Sequence, residues 1–172
     1  YTWNCLAYDN RSLSSWGTNQ SIILNYTSPN APNVTTPLIK PTLAYTINNL
    51  TANTTYTDAD GDSGWVFFDW YANNILVYQS LPVPTNNGTV VNYTLGSENF
   101  SKNDVMNVSI RAEDGSGWSA VFWSSTLTIQ NSNTSFNQSL SAQLVDRDSL
   151  FNYQINCSDV DGDTITYSDN TS

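Results

Sequence analysis

Apolar and polar residues alternate with a period of two along much of this chain. In Val105-Met106-Asn107-Val108-Ser109-Ile110-Arg111-Ala112, the side chains of Met106, Val108, Ile110 and Ala112 share one face, and Asn107, Ser109 and Arg111 share the other. Leu50-Thr51-Ala52-Asn53-Thr54-Thr55-Tyr56 and Val91-Asn92-Tyr93-Thr94-Leu95 alternate in the same way. Such runs are short, rich in Val, Ile, Thr, Tyr, Phe and Trp, and bounded by Asn, Gly, Asp and Pro clusters, while no stretch keeps helical spacing for a dozen positions. The pattern predicts an all-β protein. It places strand B near 50–57, C at 64–72, C′ at 75–80, E at 89–95, F at 105–113 and G at 118–130, with strand A somewhere in 34–48. Asn73-Asn74 reads as the hairpin turn between C and C′, because Asn tolerates positive φ.

Two blocks recur. Tyr153-Gln154-Ile155-Asn156-Cys157-Ser158-Asp159-Val160-Asp161-Gly162-Asp163 matches Asn53-Thr54-Thr55-Tyr56-Thr57-Asp58-Ala59-Asp60-Gly61-Asp62 about a shared D-x-D-G-D. Trp3-Asn4-Cys5-Leu6-Ala7-Tyr8-Asp9-Asn10 matches Val108-Ser109-Ile110-Arg111-Ala112-Glu113-Asp114-Gly115, and each is followed by Ser-rich sequence and a Trp. In the middle copy the two blocks lie about 50 residues apart, the separation of strands B and F in a seven-stranded sandwich of about 100 residues. The expected organisation is therefore tandem immunoglobulin-like β-sandwich repeats: F and G strands in 1–27, a complete domain in 29–130, and opening strands in 131–172. Pro29, Pro32, Pro37 and Pro41 mark the first junction and Asn131-Ser132-Asn133 the second. Tyr1 to Cys5 reads as the middle of a strand and Asn170 to Ser172 as an unfinished one, so the chain is expected to be a segment of something longer.

Strand C carries aromatic residues on both faces. Val66, Phe68 and Trp70 fall on one side, and Trp65, Phe67, Asp69 and Tyr71 on the other. The side bearing the charge is expected outside, which makes Trp65, Phe67 and Tyr71 candidates for an interface with a neighbouring subunit, for a cover of loops or glycans, or for stacking on sugars. Trp16 and Trp118, each following an F strand, are expected to be core or hairpin anchors.

Charge narrows the partners. Five Lys plus Arg stand against fifteen Asp plus Glu, a formal charge of -10, which disfavours nucleic-acid phosphates and anionic lipid. At 39% hydrophobic and 13% aromatic the chain has material for a folded core. No apolar run approaches the roughly 18 residues of a membrane helix, and no charged-then-apolar leader stands at Tyr1. With no His, the Ser-His-Asp and Cys-His nucleophile systems and His-ligated zinc are excluded within this sequence. The only Glu are Glu98 and Glu113, and the Asp concentrate in turns, so a glycosidase carboxylate pair is not expected and the chain reads as a non-enzyme.

Fourteen Asn-x-Ser/Thr triplets are present, at Asn10, Asn19, Asn25, Asn33, Asn49, Asn53, Asn87, Asn92, Asn99, Asn107, Asn133, Asn137, Asn156 and Asn170. With 23 Asn and 42 Ser plus Thr, random order would give about six. The excess points to N-glycan acceptors. Strand register puts Asn53, Asn92 and Asn107 on outward faces, as a glycan requires.

The D-x-D-G-D blocks offer hard oxygen ligands around a tight turn, the composition of a Ca²⁺ loop. The rest of an EF-hand, including its Glu at position twelve, is missing, so the support is topological. The B-to-C loop holding Asp58, Asp60 and Asp62 and the F-to-G loop holding Asp114 lie at one end of a sandwich. Asp159, Asp161 and Asp163 would pair with a later loop and Asp9 with an earlier one. The competing reading is a polar turn closed by Asx hydrogen bonds.

The run from Tyr1 to Asn10 with Ser12 to Trp16 resembles the closing half of the fibronectin type III and immunoglobulin-like repeats of large archaeal and bacterial surface proteins. Phe136 to Leu140 through Asn156 to Tyr167 resembles the opening half of cadherin-like repeats in the same kind of protein. The resemblance covers most of the chain through short motifs, and it implies a surface, adhesive or fibre-forming role. It also bears on the cysteines: Cys157 stands in strand B and Cys5 in strand F of flanking copies, where the middle copy has Tyr56 and Ile110. Each thiol is expected to bond within its own domain to residues outside this sequence, or Cys157 of one subunit to Cys5 of the next, or to stay free. The chain is thus expected to be an extracellular structural subunit or repeat segment of a heavily N-glycosylated filament, sheath or cell-surface stalk, assembling head to tail with copies of itself or adjoining repeats. The alternative expectation is an adhesin or carbohydrate-binding segment.

Overall fold

Three strands with alternate apolar residues build the centre of the molecule. A computed structural model describes residues 2–22, 28–139, 141–142 and 144–168. In chain order the strands are β1 (Thr2–Trp3), β2 (Leu6–Tyr8), β3 (Ser14–Trp16), β4 (Gln20–Ser21), β5 (Asn33–Val34), β6 (Leu38–Lys40), β7 (Ala44–Tyr45), β8 (Leu50–Thr57), β9 (Gly64–Ala72), β10 (Ile75–Gln79), β11 (Val83–Thr85), β12 (Val90–Leu95), β13 (Val105–Glu113), β14 (Phe122–Trp123), β15 (Leu127–Gln130), β16 (Ser135–Phe136) and β17 (Cys157–Ser158). A single 3₁₀ turn at Ser97–Asn99 is the only helical element among the described residues, and no helix there is long and apolar enough to cross a membrane.

The sandwich closes because β8, β9, β12 and β13 each present an apolar face. Leu50, Ala52 and Tyr56 from β8 meet Val66, Phe68 and Trp70 from β9 and Met106, Val108, Ile110 and Ala112 from β13 in one buried cluster, joined by Val91 and Leu95 of β12. One sheet runs β10, β9, β13, β15, β7, with β11 on the β10 edge and β14 on the β15 edge; the other runs β12, β8, β5, with β6 also on β8. This is the all-β, two-sheet arrangement of an immunoglobulin-like domain.

Strand A, which the sequence left open, comes in three pieces. β5 and β6 pair antiparallel with β8, then β7 crosses to pair parallel with β15 in the other sheet. Pro37 and Pro41 separate the pieces, as expected of a residue that donates no ladder hydrogen bond. The turn at Asn73-Asn74 is as predicted: both residues are left-handed, with φ of 53° and 65°. Strand G does not run unbroken from 118 to 130. It is reduced to a bridge at Trp118, then β14, then β15. The reason is that serine hydroxyls replace backbone carbonyls along it. Ser119 Oγ accepts the Ala112 N–H at 2.8 Å and Ser124 Oγ the Val108 N–H at 3.0 Å, while each serine's own N–H returns to the carbonyl of the same partner.

The flanking segments form two-stranded pieces: β1 with β4, β2 with β3, and β16 with β17. The last of these repeats the start of the central domain. Asn33 and Val34 oppose Thr57 and Tyr56 in β5 and β8, and Ser135 and Phe136 oppose Ser158 and Cys157 in β16 and β17.

The outer edges of the two sheets are tied by one polar bridge, the Tyr93 hydroxyl donating to that of Tyr78 at 2.7 Å, with their rings 5.8 Å apart. Burial, and then this bond, push the Tyr93 hydroxyl up to about 12. In the unfolded chain it ionises near its ordinary value of about 10, so its contribution to stability is complete below that pH and is lost as pH rises toward about 12. Tyr93→Phe should flatten the alkaline decline in unfolding free energy over this window, measured by urea denaturation at stepped pH.

Candidate metal centre

Asp58 follows β8 immediately and is buried, and the chain turns sharply after it. Its Oδ1 accepts the N–H groups of Asp60 at 2.8 Å and Asp62 at 3.1 Å, an Asx closure that requires the intervening Gly61 to adopt φ of +86°. Asn87 clamps the same residue from the side, its Oδ1 accepting the Asp58 N–H at 2.8 Å and its Nδ2 donating to the Asp58 carbonyl at 2.9 Å. The loop after β13 is built likewise. Asp114 Oδ1 accepts Ser116 N–H at 2.8 Å, Ser116 Oγ at 2.7 Å and Gly117 N–H at 3.1 Å. Burial alone would raise the Asp114 carboxyl, but the hydrogen bonds from Ser116 and Gly117 outweigh it and hold the group below its ordinary value.

Each loop therefore spends one oxygen of its aspartate and leaves the other bare. Oδ2 of Asp58 and Oδ2 of Asp114 are both buried without a hydrogen-bond partner, and Asp58 is only 7% exposed. Carboxylate oxygens of Asp58, Asp62 and Asp114 lie within 4.8 Å of one another. The Tyr56 hydroxyl beside them is also buried and unpartnered. Burial first, then the charges of Asp114, Asp58 and Asp62, push it up to about 12, so it stays protonated. Like charges this close repel by roughly 4 kcal/mol per pair where the effective dielectric is about 20.

Asp60 takes no part in this group. Its Oδ2 accepts the Asn30 N–H at 2.5 Å, and Asn30 Nδ2 donates to both its oxygens at 3.1 and 3.2 Å. The single proton of the Ser116 hydroxyl is shared between Asp114 Oδ1 and the Asn30 carbonyl, which lies 2.8 Å from Ser116 Oγ. The residue that leads into the domain is thus gripped by both loops. Neither Asn30, Asn87 nor the Tyr56 hydroxyl was foreseen from the sequence. The signal for Asn30 is the repeat itself: Ser132 donates its N–H to Asp161 Oδ2 at 2.6 Å, the same bond 29 residues apart instead of 30.

The second D-x-D-G-D loop repeats the turn but not the cluster. Asp159 Oδ1 accepts Asp161 N–H at 2.9 Å and Asp163 N–H at 3.2 Å, with Gly162 at φ of +72°. Asp163 is ion-paired with Lys102 from the central domain. Asp9 matches Asp114, its Oδ1 accepting Arg11 N–H at 2.8 Å and Leu13 N–H at 2.9 Å. Among the described residues neither joins a group of three ligands.

On the outer face of β9, Trp65 is exposed while Phe67 and Tyr71 are half-covered. Phe67 meets Trp118 with ring centroids 5.1 Å apart and Tyr71 meets Trp123 at 5.0 Å. The Arg111 guanidinium lies 4.5 Å over Trp118. Trp118 is therefore a hairpin anchor but not core, and Trp16, opposite Leu6 in β2 and β3, is 64% exposed. Since Tyr71 and Trp123 sit opposite Asn107 and Ser109, their rings meet above β13. Asn107 faces outward as expected, yet Ser109 is 5% exposed and Asn107 Oδ1 is buried without a partner. Of the other acceptors, Asn53 and Asn99 are half-buried; Asn10, Asn19, Asn33, Asn49, Asn87, Asn92, Asn133, Asn137 and Asn156 are exposed. Asn25 and Asn170 lie outside the described residues. Cys5 is an exposed free thiol and Cys157 a half-buried one.

No protein-family model matches the chain. No curated protein is significantly similar to it. Among solved structures, it is similar to the PKD domain of an M14-like peptidase from a Thermoplasmatales archaeon, at 18% identity and a TM-score of 0.47, over 59% of this chain and 98% of that one.

Gly64, which opens β9, packs against the Tyr56 hydroxyl that lies beside the carboxylate group. A Cβ there would stand 2.3 Å from the Glu113 carbonyl and 2.6 Å from the Tyr56 hydroxyl. Gly64→Ala should cost about 1–3 kcal/mol of unfolding free energy by urea denaturation, with an unchanged m-value.

Proposed function

We propose that this chain is a stretch of an N-glycosylated, extracellular array of immunoglobulin-like repeats, of the fibronectin type III and cadherin-like kind, serving as structural subunit or repeat segment of a filament, sheath or cell-surface stalk. The observation that carries the reading is the recurrence of one domain entry. The same opening ladder, the same Asx-closed loop and the same linker N–H to the middle aspartate recur about a hundred residues apart, as they do when like units follow head to tail. The spread of exposed acceptors over the β12-β8-β5 sheet, the loops and the flanking segments supports a glycan coat, and the net charge of -10 supports a solvated surface. In such an array the repeats hold distance and resist proteases.

A second reading, an adhesin or carbohydrate-binding segment, is favoured by one feature, the exposed Trp65, Trp118 and Trp123 on a single sheet face. A free aromatic strip with measurable sugar affinity belongs to that reading; a strip buried between subunits belongs to the first.

Intact-glycopeptide mass spectrometry of the protein released from the surface of producing cells tests the proposal. Glycans are expected on exposed acceptors such as Asn10, Asn33, Asn49, Asn92, Asn133 and Asn156, and none on Asn107, whose sequon serine is covered. A surface fraction carrying no glycan at any acceptor would overturn it. Non-reducing peptide maps of the same sample locate the partners of Cys5 and Cys157, and a Cys5 to Cys157 link across isotope-mixed subunits would make the head-to-tail contact covalent.

A further inference from the structure

We infer that Asp58, Asp62 and Asp114 bind one hard divalent cation, Ca²⁺ in preference to Mg²⁺, and that the bound ion fixes the entry of the linker at Asn30. The site stands on the central domain's own geometry and does not depend on glycosylation or on how units assemble.

Two independent observations point to a cation. The first is convergence: three carboxylates from two loops reach within 4.8 Å of each other. The second is that the deepest of them, Asp58, is more than nine-tenths buried and keeps an Oδ2 without any hydrogen-bond partner, as Asp114 does. A simple Asx turn needs only one oxygen of each aspartate, and Oδ1 supplies it in both. The remaining oxygens have no use within the loops. Nor does the protein offer a cation of its own: the only ion pair among the described residues is Lys102 with Asp163, and Arg111 is stacked on Trp118.

The chemistry of the group selects the ion. All its ligand atoms are carboxylate oxygens, which excludes a preference for softer metals. Ca²⁺ takes oxygens at about 2.3–2.6 Å in a flexible arrangement, so carboxylates that already lie within 4.8 Å of one another can close on it without an exact geometry. Mg²⁺ demands a tighter octahedron, with opposite ligands about 4.0–4.2 Å apart, and gives up its waters reluctantly. Three protein residues leave room for water to complete six to eight ligands around calcium.

The second loop is not equivalent. Asp159 and Asp163 meet no third carboxylate among the described residues, and Lys102 already neutralises Asp163. One ion per chain follows. Asp60 lies outside the ligand set because it holds Asn30, whose carbonyl is held by Ser116 next to Asp114. Drawing the two loops onto one ion therefore tightens the grip on the linker from both sides.

The test uses the whole chain after chelator treatment, titrated with CaCl₂ by calorimetry and with Tb³⁺ by luminescence excited through the neighbouring Tyr56. One Ca²⁺ per chain is expected, with a Kd of about 10⁻⁵–10⁻³ M and Mg²⁺ weaker by about tenfold or more. The melting temperature should rise with calcium concentration, as mass action requires. The Asp62 carboxylate makes no hydrogen bond among the described residues, and the backbone N–H that closes the turn on Asp58 is unaffected by the change, so Asp62→Asn should fold normally. It should weaken binding about tenfold or more, and without calcium should melt no lower than the native chain because a like charge is gone. Asp60→Asn should keep the affinity within about threefold while loosening the linker, read as faster amide exchange at Asn30. The inference is overturned if folded protein binds no ion at about 10 mM calcium, if Asp62→Asn and Asp114→Asn bind as the native chain does, or if two ions bind per chain.

Discussion

Closure of two sheets over one core is the constraint on which the rest depends. β8 and β13 belong to opposite sheets, yet Tyr56 and Ile110 are both fully buried in the same cluster. Wherever those strands emerge from the core, the loops that follow must emerge together. Asp58 comes two residues after Tyr56, and Asp114 four residues after Ile110. The carboxylates are brought together by the packing of aromatic and aliphatic side chains beneath them, at the expense of their mutual repulsion. Gly64 is part of the same economy, since only a residue without Cβ lets β9 start between the Glu113 carbonyl and the Tyr56 hydroxyl.

Much of this was legible in the sequence because period-two alternation reports directly on which face is buried. β8, β9, β10, β12 and β13 fall where alternation places them, and the Asn73-Asn74 turn is named by its composition. Strand A and strand G were less legible for a common reason. Both carry their pairing in ways that hydropathy does not record: β5, β6 and β7 are divided by prolines and change sheets, and strand G is held by Ser119 and Ser124 hydroxyls standing in for carbonyls. Asn107 marks another limit. Alternation identified its face correctly but could not foresee that Tyr71 and Trp123, from the strands on either side, would meet over it.

The comparison of repeat positions gives the cysteines a physical setting. Cys157 occupies the ladder position of Tyr56, opposite Phe136 where Tyr56 is opposite Val34, and Cys5 matches Ile110 in the sequence repeat. In the central domain both positions are core, one in each sheet, and a large aromatic and a branched aliphatic side chain fill the space between the sheets. Packing there replaces whatever a thiol would supply. The same substitution brings in the phenolic hydroxyl that borders the carboxylates, a group the loop beginning at Asp159 lacks because Cys157 stands in its place.

Spacing within D-x-D-G-D assigns different work to three chemically identical side chains. The first aspartate is carried inward by the strand and uses one oxygen to close the turn. The second meets the incoming chain: Asn30 at Asp60 and Ser132 at Asp161. The third returns beside the first once glycine has allowed the left-handed step, and its fate depends on the neighbour it finds. In the central sandwich Asp62 finds Asp58 and Asp114; in the second loop Asp163 finds Lys102, which precedes β13. One sequence motif thus yields a cluster of negative charge in one place and an ion pair in the other. What differs is whether a carboxylate or an ammonium group is delivered to the third aspartate, and that is decided by the surrounding fold.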